Sequence, residues 1–177
     1  MRTIRIITIV LAAFAVTAVI AALSMNSKWQ VQVSRHISAP AQDIFPYINT
    51  LKKWPEWTVW NNSNHPQLQM TYEGAESGVG AIQIWHEGSD KGKLEIISSE
   101  SNQSIEYRLN MAQGLFLIHG RISLSESQQG TLVTWQLWGD NGTNLIARLM
   151  TLAFKPMLKK DLVVGLSTLQ NLITQQP

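Results

Sequence analysis

The residues of this 177-residue chain that could do acid–base chemistry are few, and they lie on separate predicted elements. Tyr107 and His86, in the central strands, are the candidates for a catalytic acid or base. Tyr72 and Glu73 are weaker candidates, since an inward tyrosine usually buries its ring and an acid before a glycine is typical of a turn. A structural role explains each of these residues more simply, so catalysis is an alternative rather than the main expectation.

Metal and cofactor chemistry is not predicted. The chain has no cysteine, and His36, His65, His86 and His119 lack the local pair spacing of a zinc site. The Gly78-Val79-Gly80 segment lacks the third glycine and the following helix of a nucleotide-binding loop. We therefore expect no metal and no cofactor.

The positive charge of the chain is concentrated at its start. Fourteen Lys and Arg residues stand against 12 Asp and Glu residues, which gives a net charge of +2. Without Arg2 and Arg5 the count is 12 basic residues against 12 acidic ones. Nucleic-acid binding requires a basic surface, so we do not expect it.

An apolar run from Ile6 to Leu23 follows these arginines, interrupted only by two threonines. As a helix, the run would cover about 27 Å, close to the thickness of the hydrocarbon core of a bilayer. We predict that residues 1–24 are a single-pass anchor in a bacterial inner membrane, with the N-terminus cytoplasmic and the domain on the periplasmic side. A cleaved signal peptide is the alternative, because Ala22-Leu23-Ser24 has small residues where a signal peptidase reads.

After a spacer at residues 25–28, the domain at 29–177 is predicted to consist mainly of strands. Alternation of apolar and polar residues predicts a half-buried strand at Trp29–Ile37, followed by two short helices and an antiparallel meander. The meander strands are predicted at Leu68–Tyr72, Val79–Glu87, Lys93–Ser99, Ser104–Met111, Leu115–Glu126 and Thr131–Gly139.

A long amphipathic helix is predicted at the C-terminus. Leucines at 158, 162, 166 and 169 and an isoleucine at 173 recur at helical spacing, and Pro156 is predicted to divide this helix from the apolar segment 145–154. The fold class is therefore α+β, with a curved antiparallel sheet wrapped around the C-terminal helix. This arrangement leaves a cavity between sheet and helix.

Strand alternation predicts an apolar and aromatic lining for that cavity. In strand 79–87 either Trp85 or His86 could face inward. The tryptophans at 54, 57 and 60 are predicted to form a lid packed on the core or, alternatively, a portal over the cavity. The predicted lining consists of Trp57, Met70, Tyr72, Trp85, Tyr107, Met111, Phe116, Ile118 and Trp135.

From Trp29 onward the chain resembles the START-like, helix-grip (SRPBCC) superfamily, in its polyketide cyclase/dehydrase-like branch. The resemblance is carried by SRHISAPAQDIF at 34–45, WPEW at 54–57, YEG at 72–74 with GVG at 78–80, GTLVTW at 130–135 and GLSTL at 165–169. It implies a helix-grip fold with a ligand cavity. Relatives often carry an acidic residue after the first helix, where this chain has Asn49-Thr50.

Together these patterns favour a membrane-anchored binding domain for a small hydrophobic or amphipathic ligand, such as a lipid or a polyketide-like molecule. One alternative is a cyclase, dehydrase or hydrolytic enzyme that uses Tyr107 or His86 in the same cavity. The other is an envelope protein-interaction module whose cavity is filled by its own core. The sequence predicts no particular oligomeric state.

Overall fold

Residues 26–175 form a curved antiparallel sheet packed against a long C-terminal helix. The structure is a computed structural model. It describes residues 5–10, 17 and 26–175, except for the side chain of Gln113. The strands are β1 (Lys28–Ile37), β2 (Gln69–Gly74), β3 (Ala81–Glu87), β4 (Asp90–Glu100), β5 (Ser104–Met111), β6 (Phe116–Ser127) and β7 (Gly130–Asp140). Their order is β1-β7-β6-β5-β4-β3-β2, so β2 to β7 form a meander and β1 closes onto β7.

All the predicted strands form, and β5 has the predicted ends. The largest difference is at the start of β4, which begins at Asp90 because Glu87 and Asp90 still pair across a two-residue turn. Gly88 in that turn has a φ of +60°, which glycine adopts without strain. The antiparallel, curved α+β architecture is therefore confirmed.

Two short helices follow β1, namely α1 (Ala41–Asn49) and α2 (Trp54–Trp57). Asn49 joins the end of α1 to the sheet. Its Oδ1 accepts a hydrogen bond from Ser99 Oγ at 2.8 Å, and its carbonyl accepts one from the Gly78 N–H at 2.9 Å. The amide at this position thus has a structural role.

The C-terminal helix, α3 (Leu145–Thr174), is continuous, so the predicted division at Pro156 is wrong. A proline removes one helical hydrogen bond but does not have to end a helix. Pro156 lies on the exposed side, so the packing of the buried side continues past it. The predicted apolar stripe is confirmed, because Leu162, Leu166 and Leu169 are completely buried.

The inner face of the sheet follows the predicted alternation. Tyr107 and Trp135 are buried on it. The open choice in β3 is settled in favour of Gln83 and Trp85, which face inward and leave His86 on the opposite face.

The predicted anchor at residues 1–24 lies largely outside the described residues. Within it, the structure describes residues 5–10 and 17, which are helical. Among the residues that the structure describes, no helix is both long and apolar enough to cross a membrane.

Candidate ligand cavity

A cavity of about 490 Å³ lies between the inner face of the sheet and the N-terminal half of α3. Each strand contributes at least one side chain to its wall, and Trp54 and Trp60 add two aromatic rings. The walls are mainly apolar. Small-molecule sites in proteins are typically concave, apolar and roughly 300–1,000 Å³ in volume, so this cavity has the dimensions of a ligand site.

Six of the nine predicted lining residues lie on the cavity wall. They are Met70, Trp85, Tyr107, Met111, Phe116 and Ile118. Phe116 and Met111 are paired at the end of β5 and the start of β6, and the Phe116 ring meets Phe154 of α3 edge-on at 6.0 Å. These aromatic rings bring sheet and helix together at one end of the cavity.

Trp57 and Trp135 lie in the core and do not line the cavity. They are 0% and 1% exposed, and their ring centroids are 5.1 Å apart. The Trp57 Nε1–H donates to the Tyr47 carbonyl at 3.2 Å, and Trp54 packs against both tryptophans. Alternation assigns a residue to a face of the sheet but does not say how deeply it is buried, so their predicted lining role is corrected to one in the packed aromatic core.

Tyr72 also lies outside the cavity wall. Its ring is half-buried, and its hydroxyl contacts the sulfur of Met70 at 3.5 Å. Burial raises the pKa of this hydroxyl. Tyr72 therefore supports Met70, which does line the cavity, instead of facing the ligand space.

Neither predicted acid–base candidate is placed as a base at the cavity. Tyr107 is almost fully buried, and its hydroxyl accepts a hydrogen bond from Trp135 Nε1–H at 2.7 Å. Burial raises the pKa of Tyr107 far above its ordinary value, so the phenol is an even weaker source of a phenolate base than an exposed tyrosine. His86 lies on the outer face of β3, away from the cavity.

Two glycines allow the aromatic rings of the wall to lie flat on neighbouring strands. A Cβ at Gly120 would be 2.0 Å from the Tyr107 ring, and one at Gly92 would be 1.8 Å from the Trp85 ring. Gly120 is directly opposite Tyr107, and Gly92 is directly opposite Trp85. These ring positions therefore depend on the absence of a side chain on the partner strand.

The sequence reasoning missed a polar rim on the cavity. His65 Nδ1 lies 3.1 Å from both carboxylate oxygens of Glu87, and both residues line the cavity together with Asp161 of α3. Loss of hydration raises the pKa of the Asp161 carboxyl, partly offset by Lys160 and His65. Glu87 could have been found from the sequence, because it lies on the same face of β3 as Gln83 and Trp85. His65 could not, because no periodic pattern assigns a loop residue to a face. Within the described residues, no cluster of three His, Asp or Glu side chains could hold a metal ion.

Gln83 is a further lining residue, on the face of β3 whose orientation the sequence left open. It lies within the inner face of β3 and is 7% exposed. Its side-chain N–H donates to the Met70 sulfur at 3.2 Å. In the described part of the chain its Oε1 is the buried side-chain polar atom without a hydrogen-bond partner.

The fold is similar to that of several solved structures. Protein MLL2253 from Mesorhizobium loti has a TM-score of 0.60 at 17% identity, over 84% of this chain and 99% of that one. Protein Ms6760 from Mycobacterium smegmatis has a TM-score of 0.59 at 13% identity, over 84% and 92%. The di-domain ARO/CYC StfQ from the steffimycin biosynthetic pathway has a TM-score of 0.62 at 12% identity, over 84% of this chain and 51% of StfQ. At these identities the likeness concerns the fold.

A comparison with curated proteins finds no match. The sequence model of the family described as polyketide cyclase / dehydrase and lipid transport matches residues 28–174. That range runs from the first residue of β1 to the last residue of α3. The resemblance to START-like, helix-grip proteins is thereby confirmed, and the chain belongs to the polyketide cyclase/dehydrase and lipid-transport family.

Proposed function

We propose that this domain binds a small hydrophobic or amphipathic molecule, such as a lipid or a polyketide-like compound, in the cavity between sheet and α3. The observation that carries the proposal is the cavity itself, about 490 Å³ of space with mainly apolar walls. A bound apolar molecule would remove that wall surface from water, which is favourable.

The same geometry argues against Tyr107 and His86 as catalytic bases and against a cavity filled by its own core. A cyclase, dehydrase or hydrolase that uses Tyr107 or His86 would need a proton acceptor at the cavity. A tyrosine phenol is protonated at neutral pH even at its ordinary pKa, and burial raises the pKa of Tyr107 further, so it is a poor proton acceptor; His86 faces away. An interaction module with a filled core is disfavoured because the cavity is open.

The binding proposal is tested on the full chain reconstituted in phospholipid nanodiscs. We expect a small apolar molecule to copurify and to be detected by native mass spectrometry. Leu109→Trp, at a half-buried lining position, should place a bulky ring in the cavity, obstruct the ligand and reduce binding of an added fatty alcohol by at least ~10-fold. Leu132→Trp, on the exposed side of β7, is the matched control. Equal binding by both variants would show that the cavity is not the site.

We further propose that residues 1–24 anchor the domain in a bacterial inner membrane, with the N-terminus cytoplasmic and the domain on the periplasmic side. Support comes from Arg2 and Arg5 before the apolar run Ile6 to Leu23. Protease treatment of spheroplasts should degrade the domain. The intact mass should include residues 1–24, whereas a chain that starts near residue 25 would show a cleaved signal peptide.

An exposed apolar surface supports a position close to the bilayer. Ile146, Leu149 and Leu152 of α3 are 67%, 54% and 57% exposed, and Leu117 of β6 is 61% exposed. The start of the domain lies near this apolar surface. Lys28, the first residue of β1, pairs with Asp140, the last residue of β7, and α3 begins shortly afterwards. Cavity residues Phe116 and Phe154 lie in the same two segments. A bilayer at the start of the domain would therefore face both the apolar surface and the cavity.

A single-cysteine experiment tests this orientation. The native chain has no cysteine, so Leu149→Cys and Leu132→Cys can each be labelled at one site with a bimane fluorophore. Leu132 is an exposed leucine seven residues before Gly139 on β7, about 23 Å along the strand. We expect brominated lipid in the nanodisc to quench the label at 149 and not at 132. Equal quenching at the two positions would contradict the orientation.

A further inference from the structure

We propose that Gln83 is the polar recognition point of the cavity and that the ligand is an apolar molecule carrying a hydroxyl group. This inference rests on the proposed binding function and specifies its ligand. Gln83 lies in β3 between Tyr72 of β2 and Leu94 of β4. Its side chain faces the cavity and is 7% exposed.

The hydrogen bonding of Gln83 is incomplete in one specific way. Its Nε2 donates to the sulfur of Met70 at 3.2 Å, whereas its Oε1 has no partner in the described part of the chain. Buried polar atoms in proteins are nearly always hydrogen-bonded. Rotating the amide by 180° does not help, because it would place the oxygen beside a sulfur that has no proton to donate. The unmet hydrogen bond is therefore one that a donor would supply, and because Oε1 is itself enclosed, a small rotation of the side chain toward the cavity must accompany binding.

The surroundings restrict the class of donor. The neighbouring wall, formed by residues such as Leu94, Trp85 and Leu109, is apolar, so an ammonium group there would be buried without a counter-charge. A carboxylate, ketone or ether oxygen brings no proton and would leave Oε1 unpaired. Glu87, the nearest carboxylate along β3, is four residues away, or about 13 Å. A neutral hydroxyl on an apolar body satisfies these conditions.

The test compares two isomers, decan-1-ol and methyl nonyl ether, on the full chain in nanodiscs. They have the same atoms, but only the alcohol can donate a hydrogen bond. For each protein, the ratio of the dissociation constant of the ether to that of the alcohol is measured. The two probes partition differently into lipid, so the wild-type ratio is divided by the ratio for the variant, which cancels this difference. Gln83→Met removes the amide while keeping a similar length, and Gln83→Leu is a second apolar replacement. Gln136→Met, on the outer face of β7, is the matched control.

We expect the alcohol preference to fall about five- to tenfold in Gln83→Met and Gln83→Leu and to be unchanged in Gln136→Met. The apolar variants should also unfold at a urea concentration no lower than wild type, since they remove an unpaired buried oxygen. An unchanged preference in both Gln83 variants would overturn the inference and indicate that water satisfies Oε1. If neither probe binds wild type, the proposed binding function itself is wrong, which is a distinct result.

Discussion

The C-terminal half of α3 packs directly on the sheet, whereas its N-terminal half lies over the cavity. Leu162, Leu166 and Leu169 are 0% exposed, and a Cβ at Gly165 would be 3.1 Å from the Trp135 ring. In the N-terminal half, Met150, Phe154 and Met157 line the cavity. One continuous helix therefore has a closed half, which buries the core, and an open half, which leaves room for a ligand. Stability and binding should be separable by substitutions in the two halves.

The largest expected difference is between Trp135→Ala and Phe116→Ala. Trp135 fills the closed half, so its removal leaves a large cavity and should lower the free energy of unfolding by ~3–5 kcal/mol. Phe116 is half-buried at the open half and should cost only about 1 kcal/mol. Urea denaturation measures both values. Equal losses would mean that the two halves are not energetically distinct.

Two glycine substitutions sharpen the comparison because they create similar clashes with a tightly packed ring and with a more loosely packed ring of the cavity wall. Gly120→Ala presses on the Tyr107 ring, which touches the cavity but is 2% exposed and packs edge-on against Trp54, so it has little room to move. This substitution should destabilise by ~1–3 kcal/mol. Gly92→Ala presses on the Trp85 ring, which lines the cavity and can move into it. We expect Gly92→Ala to cost less stability but to weaken ligand binding. Urea denaturation and fatty-alcohol binding are the measurements, and the opposite ranking in stability would contradict the difference in packing.

The sequence predicted the faces of the sheet well because strand alternation is a local property. The buried residues of β5 and β7, including Tyr107 and Trp135, have the predicted parity. Depth is not local. Whether Trp135 meets a ligand or another ring depends on Trp54 and Trp57, which lie about 80 residues earlier in the chain. Alternation therefore could not distinguish residues of the packed aromatic core from residues of the cavity wall.

The polar features of the cavity were missed for a similar reason. The His65–Glu87 contact joins a loop to a strand end 22 residues away, and no periodic pattern connects them. The orientation of Gln83 was left open because β3 has apolar residues on both faces, so its sequence does not reveal which face is inner. Pro156 misled the helix prediction, since only the structure shows that it lies on the exposed side of α3.

Tyr107→Phe tests how closely the aromatic core is sealed. Without the hydroxyl, the buried Trp135 Nε1–H loses its acceptor, which should lower the free energy of unfolding by ~1–2 kcal/mol at pH 7. Because burial raises the pKa of Tyr107 in the folded state, wild type should lose stability as the pH rises above about 10, where the unfolded phenol ionises. The variant should lack this additional loss. If wild type and Tyr107→Phe lose the same stability above about pH 10, the Tyr107 phenol contributes nothing to the loss, which would show that water reaches its hydroxyl in the folded state.

The smallest expected effect concerns Asp161, which lies on α3 where the two halves meet, at the cavity rim. Loss of hydration raises the pKa of its carboxyl, so the folded state binds the proton more tightly than the unfolded state does. The resulting stability is present below the unfolded pKa of about 3.9 and is lost as the pH rises through the folded pKa.

Asp161→Asn should therefore raise the free energy of unfolding slightly at pH 7, by less than ~1 kcal/mol because the group is largely solvated. The difference from wild type should shrink as the pH falls toward 4, and Glu76→Gln in an exposed loop is the control. A less stable Asp161→Asn at pH 7 would mean that attraction to Lys160 and His65 exceeds the cost of lost hydration. The rim of the open half would then be stabilised by its charges, in contrast to the apolar packing of the closed half.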